Sequence, residues 1–142
     1  MDFPNEQNSS IERPSDVTRA IQLLYASIAI GFVSSIFRLA SEVSGAPIAF
    51  AFIPLILFFG LFAFLVFKIS KGRNWARIAF LVIFLLGIPF AIPIYVQELE
   101  RSFLSGSLSI LIALLQLMAV YLLFRRNSNS WFKARKGSFN AI

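Results

Sequence analysis

The sequence predicts an all-α polytopic membrane protein: a bundle of four transmembrane helices arranged as two helical hairpins, over residues 14–126. Of its 142 residues, 58% are hydrophobic and 14% are charged, whereas soluble domains carry about 25% charged residues. The hydrophobic residues lie in four long uncharged blocks, with Lys and Arg between them. Blocks of about 20 residues match the length of a helix that crosses the hydrocarbon core of a bilayer.

The first span follows a polar N-terminal tail, residues 1–13, which we expect to be disordered because it holds few hydrophobic residues. Pro14 suits the first turn of a helix, and Ser15 or Asp16 can cap the free N–H groups there. The first span covers about 20–37. It is the least hydrophobic of the four, so we expect it to be buried among the others.

The other three spans cover about 46–67, 78–96 and 103–124. The second span is rich in phenylalanine and carries no charge. A proline inside a helix removes a backbone hydrogen bond, which neighbouring helices must compensate in lipid. Prolines lie near the start of the second span and inside the second and third: Pro47, Pro54, Pro89 and Pro93.

Two polar segments separate the later spans. In residues 68–77, Gly72 suits the end of one helix and Asn74 the N-cap of the next. The polar stretch 97–101 predicts a short loop before the fourth span. Salt bridges are expected between residues close in sequence: Glu98 with Arg101 in this loop, and Arg38 with Glu42 at the end of the first helix.

The distribution of Lys and Arg predicts the topology. Eleven of the 13 lie before the first span, between the second and third, or after the fourth, and the other two loops hold Arg38 and Arg101. Positive charge is retained on the cytoplasmic side of bacterial membranes. We therefore expect a multi-pass membrane protein with both termini in the cytoplasm. The hairpins share an in–out–in path, which fits either an internal repeat or the ordinary composition of helix ends.

The C-terminal segment, residues 127–142, predicts a basic cytoplasmic tail. Anionic lipid headgroups attract Lys and Arg near the membrane, and Trp favours the interface. Nucleic-acid binding is disfavoured because no recognised binding motif accompanies the charge. The predicted headgroup contacts are Lys68, Lys71, Arg73, Trp75, Arg77, Arg125, Arg126, Trp131 and Lys133.

Small residues recur at every fourth position on two of the spans. Such rows let helices approach closely in lipid, within one chain or between copies of it. Gln22 and Gln116 are amides inside or near the spans, for which hydrogen bonds between helices are expected. The predicted packing residues are Ser27, Gly31, Ser35, Ser105, Ser109 and Ala113.

The residue types exclude several chemistries. The chain has no Cys and no His, which removes disulfides, thiolate nucleophiles and imidazole catalysis. We expect no enzymatic activity, no cofactor and no metal site. No Asp, Glu, Lys or Arg lies deep in a predicted span, although proton-coupled carriers usually need an ionisable group there.

Three sets of segments, which largely mark helix ends, carry a resemblance. They are Arg13–Ala20 with Leu23-Leu24-Tyr25, Gly72–Ile78, and Leu115-Gln116 with Leu122-Leu123-Phe124 and Trp131-Phe132. These segments resemble a group of small four-span proteobacterial inner-membrane proteins that have no assigned activity. The resemblance implies the four-span topology and a bacterial inner-membrane location, and it transfers no functional residue.

Three functions fit these observations. The first is a non-enzymatic accessory or partner-binding unit of the membrane, which agrees with the absence of catalytic residue types. The second is a small oligomeric transporter or channel that uses the proline-containing helices. The third is a membrane immunity protein that guards against a toxin. A polar cavity between the helices favours the transporter, and a dry bundle favours the accessory unit.

Overall fold

The computed structural model describes residues 12–42 and 48–139. Most of the predicted disordered tail, Pro47 and the predicted start of the second span lie outside these residues. The described part of the chain forms five helices and confirms the all-α prediction. They are α1 (Ser15–Glu42), α2 (Ile48–Ser70), α3 (Asn74–Arg101), α4 (Phe103–Phe124) and α5 (Arg126–Phe139).

Four of these helices, α1 to α4, are long and apolar enough to cross a membrane. The protein is therefore a multi-pass membrane protein. At about 1.5 Å per residue, the 28 residues of α1 and of α3 exceed a hydrocarbon core of about 30 Å. Pro54 lies inside α2, and Pro89 and Pro93 lie inside α3.

The four spans form a ring in which α1 and α3 each pack between α2 and α4. Gly31 in α1 illustrates this position. A Cβ atom added at Gly31 would lie 3.3 Å from Phe59 of α2 and 3.9 Å from Ile112 of α4. Helix α1 thus packs on α2, its partner in the first hairpin, and on α4 of the second hairpin. Helices α2 and α4 lie diagonally across the ring.

The hydrophobic core lies at one end of the ring. This basic end comprises the start of α1, the α2–α3 turn, the end of α4, and α5. The opposite end comprises the end of α1 and the α3–α4 junction. The buried hydrophobic residues are Val17, Ala20, Ile21, Leu24, Phe62, Leu65, Val66, Ile69, Ala76, Phe80, Ala119, Leu123, Trp131 and Phe132.

The α2–α3 turn is closed by Gly72, which has a φ of 79°. The N–H of Gly72 donates to the carbonyl of Ile69 at 2.9 Å, and that of Arg73 donates to Lys68 at 3.1 Å. This pair of bonds is a Schellman motif, which requires a left-handed residue. Gly72 therefore ends α2 as predicted. Arg73, rather than the predicted Asn74, is the N-cap of α3, and its side chain makes no capping hydrogen bond.

The α3–α4 junction contradicts the predicted loop at 97–101, because α3 continues to Arg101 and only Ser102 separates it from α4. Gly106 permits this tight hairpin. A Cβ atom added there would lie 2.6 Å from the Cα atom of Leu99. The two helices therefore meet at a distance that only glycine allows.

Candidate functional site

Helix α5 folds back across the basic end and was not predicted from the sequence. It packs against α1, α3 and α4. Trp131 and Arg135 reach the α2–α3 turn, where each would lie 3.2 Å from a Cβ atom added at Gly72. Because α4 and α2 lie diagonally across the ring, α5 extends beneath the ring from α4 toward this turn. The helix therefore closes the basic end.

Arg77 in α3 is the polar centre of the basic end. The residue is only 7% exposed. Its Nη1 donates to the side-chain oxygen of Asn129 at 2.7 Å and to the carbonyl of Leu123 at 3.2 Å. The guanidinium also lies over two rings, 4.5 Å from the centroid of Phe132 and 5.0 Å from that of Phe124. Arg77 thus joins α3, α4 and α5.

The last carbonyls of α4 are satisfied by side chains. The C-terminal carbonyls of a helix lack partners within it and carry partial negative charge. Ser128 Oγ donates to Leu122 at 2.6 Å, and Asn129 Nδ2 donates to Phe124 at 2.9 Å. With the bond from Arg77 to Leu123, three consecutive carbonyls are capped. The cationic guanidinium adds a favourable interaction with the helix dipole.

Two further contacts attach the start of α1 to the basic end. Arg125 Nη1 lies 3.2 and 3.3 Å from the two carboxylate oxygens of Asp16. Arg13 Nη2 donates to the carbonyl of Ser70, at the end of α2, at 2.8 Å. The start of α1 is therefore connected to the ends of both α4 and α2.

A second polar cluster lies at the opposite end and joins three helices. The carboxylate of Glu98 in α3 accepts hydrogen bonds from Arg38 in α1 and Ser109 in α4. The Glu98 side chain is 18% exposed, and that of Arg38 is 47% exposed. The salt bridges predicted from the sequence join close neighbours, whereas the pairing of Glu98 with Arg38 spans 60 positions, because the ring places the end of α1 beside the α3–α4 hairpin. The side chain of Glu42 lies outside the described residues.

The predicted packing residues occupy different environments. In α1, Ser27 is 1% exposed and donates to the carbonyl of Leu24 at 2.9 Å. Gly31 lies between α2 and α4 as described above, and Ser35 is half-buried. In α4, Ser109 binds Glu98. Of the remaining two, Ala113 is half-buried and Ser105 is exposed.

The two amides do not connect helices within the described residues. Gln22 lies on the exposed side of α1, and Gln116 is half-buried on α4. Neither side chain makes a hydrogen bond to another described residue, although hydrogen bonds between helices were expected for both. The polar connections between helices come from Arg77 and Glu98, and from the contacts of Arg13 and Asp16 at the start of α1.

The predicted headgroup contacts separate into two groups. Arg77 and Trp131 were expected at the lipid surface, but both are buried at the basic end, Trp131 with 4% exposure. Both side chains are buried because α5 folds across the basic end, covers the start of α3 and turns Trp131 inward. Of the others, Lys68 is half-buried. The exposed members of the set are Lys71, Arg73, Trp75, Arg125, Arg126 and Lys133.

The arrangement of the described side chains suits packing and binding. Within the described residues, no group of three or more Asp or Glu side chains is placed to hold a metal ion. A shallow groove of about 320 Å³ lies between α1 and α4, lined by Ala29, Ile30, Val33, Ser34 and Leu108. Its surface is almost entirely apolar, so it offers little to a polar substrate.

The comparisons with known proteins found no relative of this chain. No protein-family model, curated protein or solved structure matches the chain.

Proposed function

We propose that this chain is a non-enzymatic protein of the bacterial inner membrane that acts as an accessory unit and binds another membrane protein. The observation that carries the proposal is the closure of the basic end by α5 around Arg77. A central path through the ring would meet Trp131 and Phe132, which are 4% and 0% exposed. A bundle that is closed at its basic end supports a binding role more than a transport role.

The polar side chains support the same conclusion. Arg77, Asp16 and Glu98 are each hydrogen-bonded to a neighbouring helix. Groups engaged in this way stabilise the helix arrangement, whereas acid–base or nucleophilic catalysis needs a positioned pair that faces a substrate cleft.

The surface of α3 near the opposite end suits a partner within the bilayer. Between residues 85 and 96, large apolar side chains are exposed around most of the helix, with exposed fractions from 37% to 75%. A helix of a closed bundle normally buries one stripe against its neighbours. These side chains are Leu85, Leu86, Ile88, Phe90, Ile92, Ile94 and Val96.

Photo-crosslinking in cells tests the binding role. A photoreactive amino acid at Phe90, which is 75% exposed on α3, is compared with one at Tyr121, which is 63% exposed on α4. We expect one defined protein adduct at position 90 that saturates with expression level and is missing at position 121. The same adducts at both positions would indicate contact with lipid or abundant neighbours and would contradict the proposal.

We also propose that the basic end faces the cytoplasm, as the excess of Lys and Arg there supports. The resemblance to proteobacterial inner-membrane proteins supports the same membrane. Because the chain has no Cys, single cysteines report exposure cleanly. A membrane-impermeant maleimide should label Glu100→Cys in intact cells and Lys133→Cys only after permeabilisation. The reverse pattern would invert the topology.

A small transporter is the second candidate, and one observation favours it. Pro54, Pro89 and Pro93 are all exposed and lie toward the opposite end, where few large side chains are buried. Prolines there could let α2 and α3 open from that end. Labelling of Gln116→Cys by an aqueous maleimide would indicate a water-filled path and favour transport, whereas protection would favour the accessory role.

A further inference from the structure

Two lysines at the end of α2 lie against aromatic rings on the outer surface. Lys68 Nζ is 5.1 Å from the ring centroid of Phe64, and Lys71 Nζ is 5.4 Å from that of Phe67. Helical side chains point toward the N-terminus of their helix. Lys68 lies in the last turn of α2 and Lys71 directly follows the helix. Each ammonium group lies over the ring four residues earlier in the chain, so both are directed back toward the membrane-spanning part of α2. The two rings are each 48% exposed.

Trp75 of α3 completes this surface. Its ring centroid lies 6.5 Å from that of Phe64, and the residue is 50% exposed. Its indole N–H makes no hydrogen bond to another described residue, so it is available as a donor. We define the α2–α3 corner as Phe64, Phe67, Lys68, Lys71 and Trp75.

The α2–α3 corner has positive charge without an acidic partner in the described part of the chain. Asp16, the buried carboxylate of the basic end, binds Arg125 instead. Two ammonium groups at the edge of a low-dielectric region attract anions more strongly than they would in water. A ligand for this surface is therefore negatively charged.

The surface below the corner is apolar and continuous with it. The N–H of Lys71 donates to the carbonyl of Phe67 at 3.2 Å, so the helical spacing continues to this residue directly after α2. With 3.6 residues per turn, the two lysines and two phenylalanines of the corner fall within an arc of roughly 100°. The same arc continues along the helix through Leu57 and Gly60, and Leu57 is 68% exposed. A Cβ atom added at Gly60 would meet open space, so this position of the arc leaves room for an acyl chain against the helix.

We propose that the α2–α3 corner binds one anionic phospholipid, such as phosphatidylglycerol. Its phosphate accepts from the two ammonium groups and from the Trp75 indole, and an acyl chain lies along α2 over Gly60. A zwitterionic lipid carries its own ammonium group, which offsets this attraction. The site thus selects lipid by headgroup charge, and it does not depend on the accessory function proposed above.

Fluorescence quenching of Trp75 in phosphatidylcholine vesicles tests the site. Dibrominated phosphatidylglycerol and dibrominated phosphatidylcholine are compared at equal mole fraction. The other tryptophan, Trp131, is buried, and the Trp75→Phe variant measures its contribution to the fluorescence signal. We expect phosphatidylglycerol to associate at least about fivefold more strongly, the factor equivalent to one basic residue near an anionic surface. Equal quenching by the two lipids would overturn the proposal.

Two double variants separate a site from general electrostatic attraction. Lys68→Gln/Lys71→Gln should bring the preference to about one, and Lys68→Arg/Lys71→Arg should retain it, because guanidinium also binds phosphate. Lys133→Gln/Lys136→Gln removes the same charge from exposed positions of α5 and should leave the preference unchanged. An equal loss in this control would overturn the proposal, as would reversal of the quenching by inorganic phosphate.

Discussion

The guanidinium of Arg77 and the side-chain amide of Asn129 are 2.7 Å apart, although 52 positions separate them in the chain. Asn129 accepts from Arg77 through Oδ1 and donates to the carbonyl of Phe124 through Nδ2. One amide therefore connects α3 to the end of α4 at the point where α5 begins. This relationship fixes the position of α5 across the basic end.

Replacing Arg77 should destabilise the fold. Arg77→Leu leaves the Leu123 carbonyl and the Asn129 oxygen unpaired in a buried site, which should lower the free energy of unfolding by about 2–3 kcal/mol. Unfolding in mixed micelles, followed by circular dichroism, measures the change. Arg126→Ala removes an exposed arginine of the same end and should change stability little. Equal losses in the two variants would show that charge at this end matters rather than the contacts of Arg77.

Gly106→Ala should open the α3–α4 hairpin. The added methyl group would lie 2.6 Å from the Leu99 Cα atom, a backbone contact that cannot be relieved by a side-chain rotation. We expect a loss of about 1–3 kcal/mol, as for other overpacked sites. Gly60→Ala is the matched control, since no atom lies within 4 Å of the added group. Thermal unfolding in detergent measures the change in stability. If both variants were as stable as the parent protein, the prediction would be wrong.

Local composition predicts the spans, the turn at Gly72 and the concentration of basic residues at one end. It does not predict how α5 packs. Its charges suggest headgroup contacts, and burial of Trp131 depends on where α3 presents Arg77. A weak signal was present, because Ser128, Trp131, Phe132 and Arg135 recur at helical spacing in an otherwise polar tail.

The sequence did not predict the polar contacts between helices, for a related reason. Pairs of residues close in sequence can be predicted from helical spacing, as with Glu98 and Arg101. The pairing of Glu98 with Arg38 cannot be predicted in this way, because the two residues become neighbours only when α1 packs against α4. Such contacts depend on the order of helices around the ring, which hydropathy does not specify.

The ion pair between Asp16 and Arg125 should contribute modestly. The Asp16 side chain is 10% exposed and that of Arg125 is 48% exposed, so solvent screens the attraction. Asp16 also lies in the first turn of α1, where a carboxylate favours the helix dipole. Asp16→Asn should lower the free energy of unfolding by about 1 kcal/mol, and less at high salt. A loss as large as that of Arg77→Leu would show that the pair, rather than Arg77, dominates the basic end.

Replacement of Glu98 should loosen the opposite end. Glu98→Gln removes the charge that holds Arg38 of α1 and weakens the acceptor of Ser109 in α4. The end of α1 should then sample a wider range of positions relative to α4. Because the chain has no Cys, spin labels on cysteines at Ala40 and Leu104 can report the distance between these helices. We expect a broader distribution for Glu98→Gln and an unchanged one for Glu100→Gln, which removes an exposed carboxylate two residues away. Broadening in both variants would show that charge at this end, rather than the Glu98 contacts, positions α1.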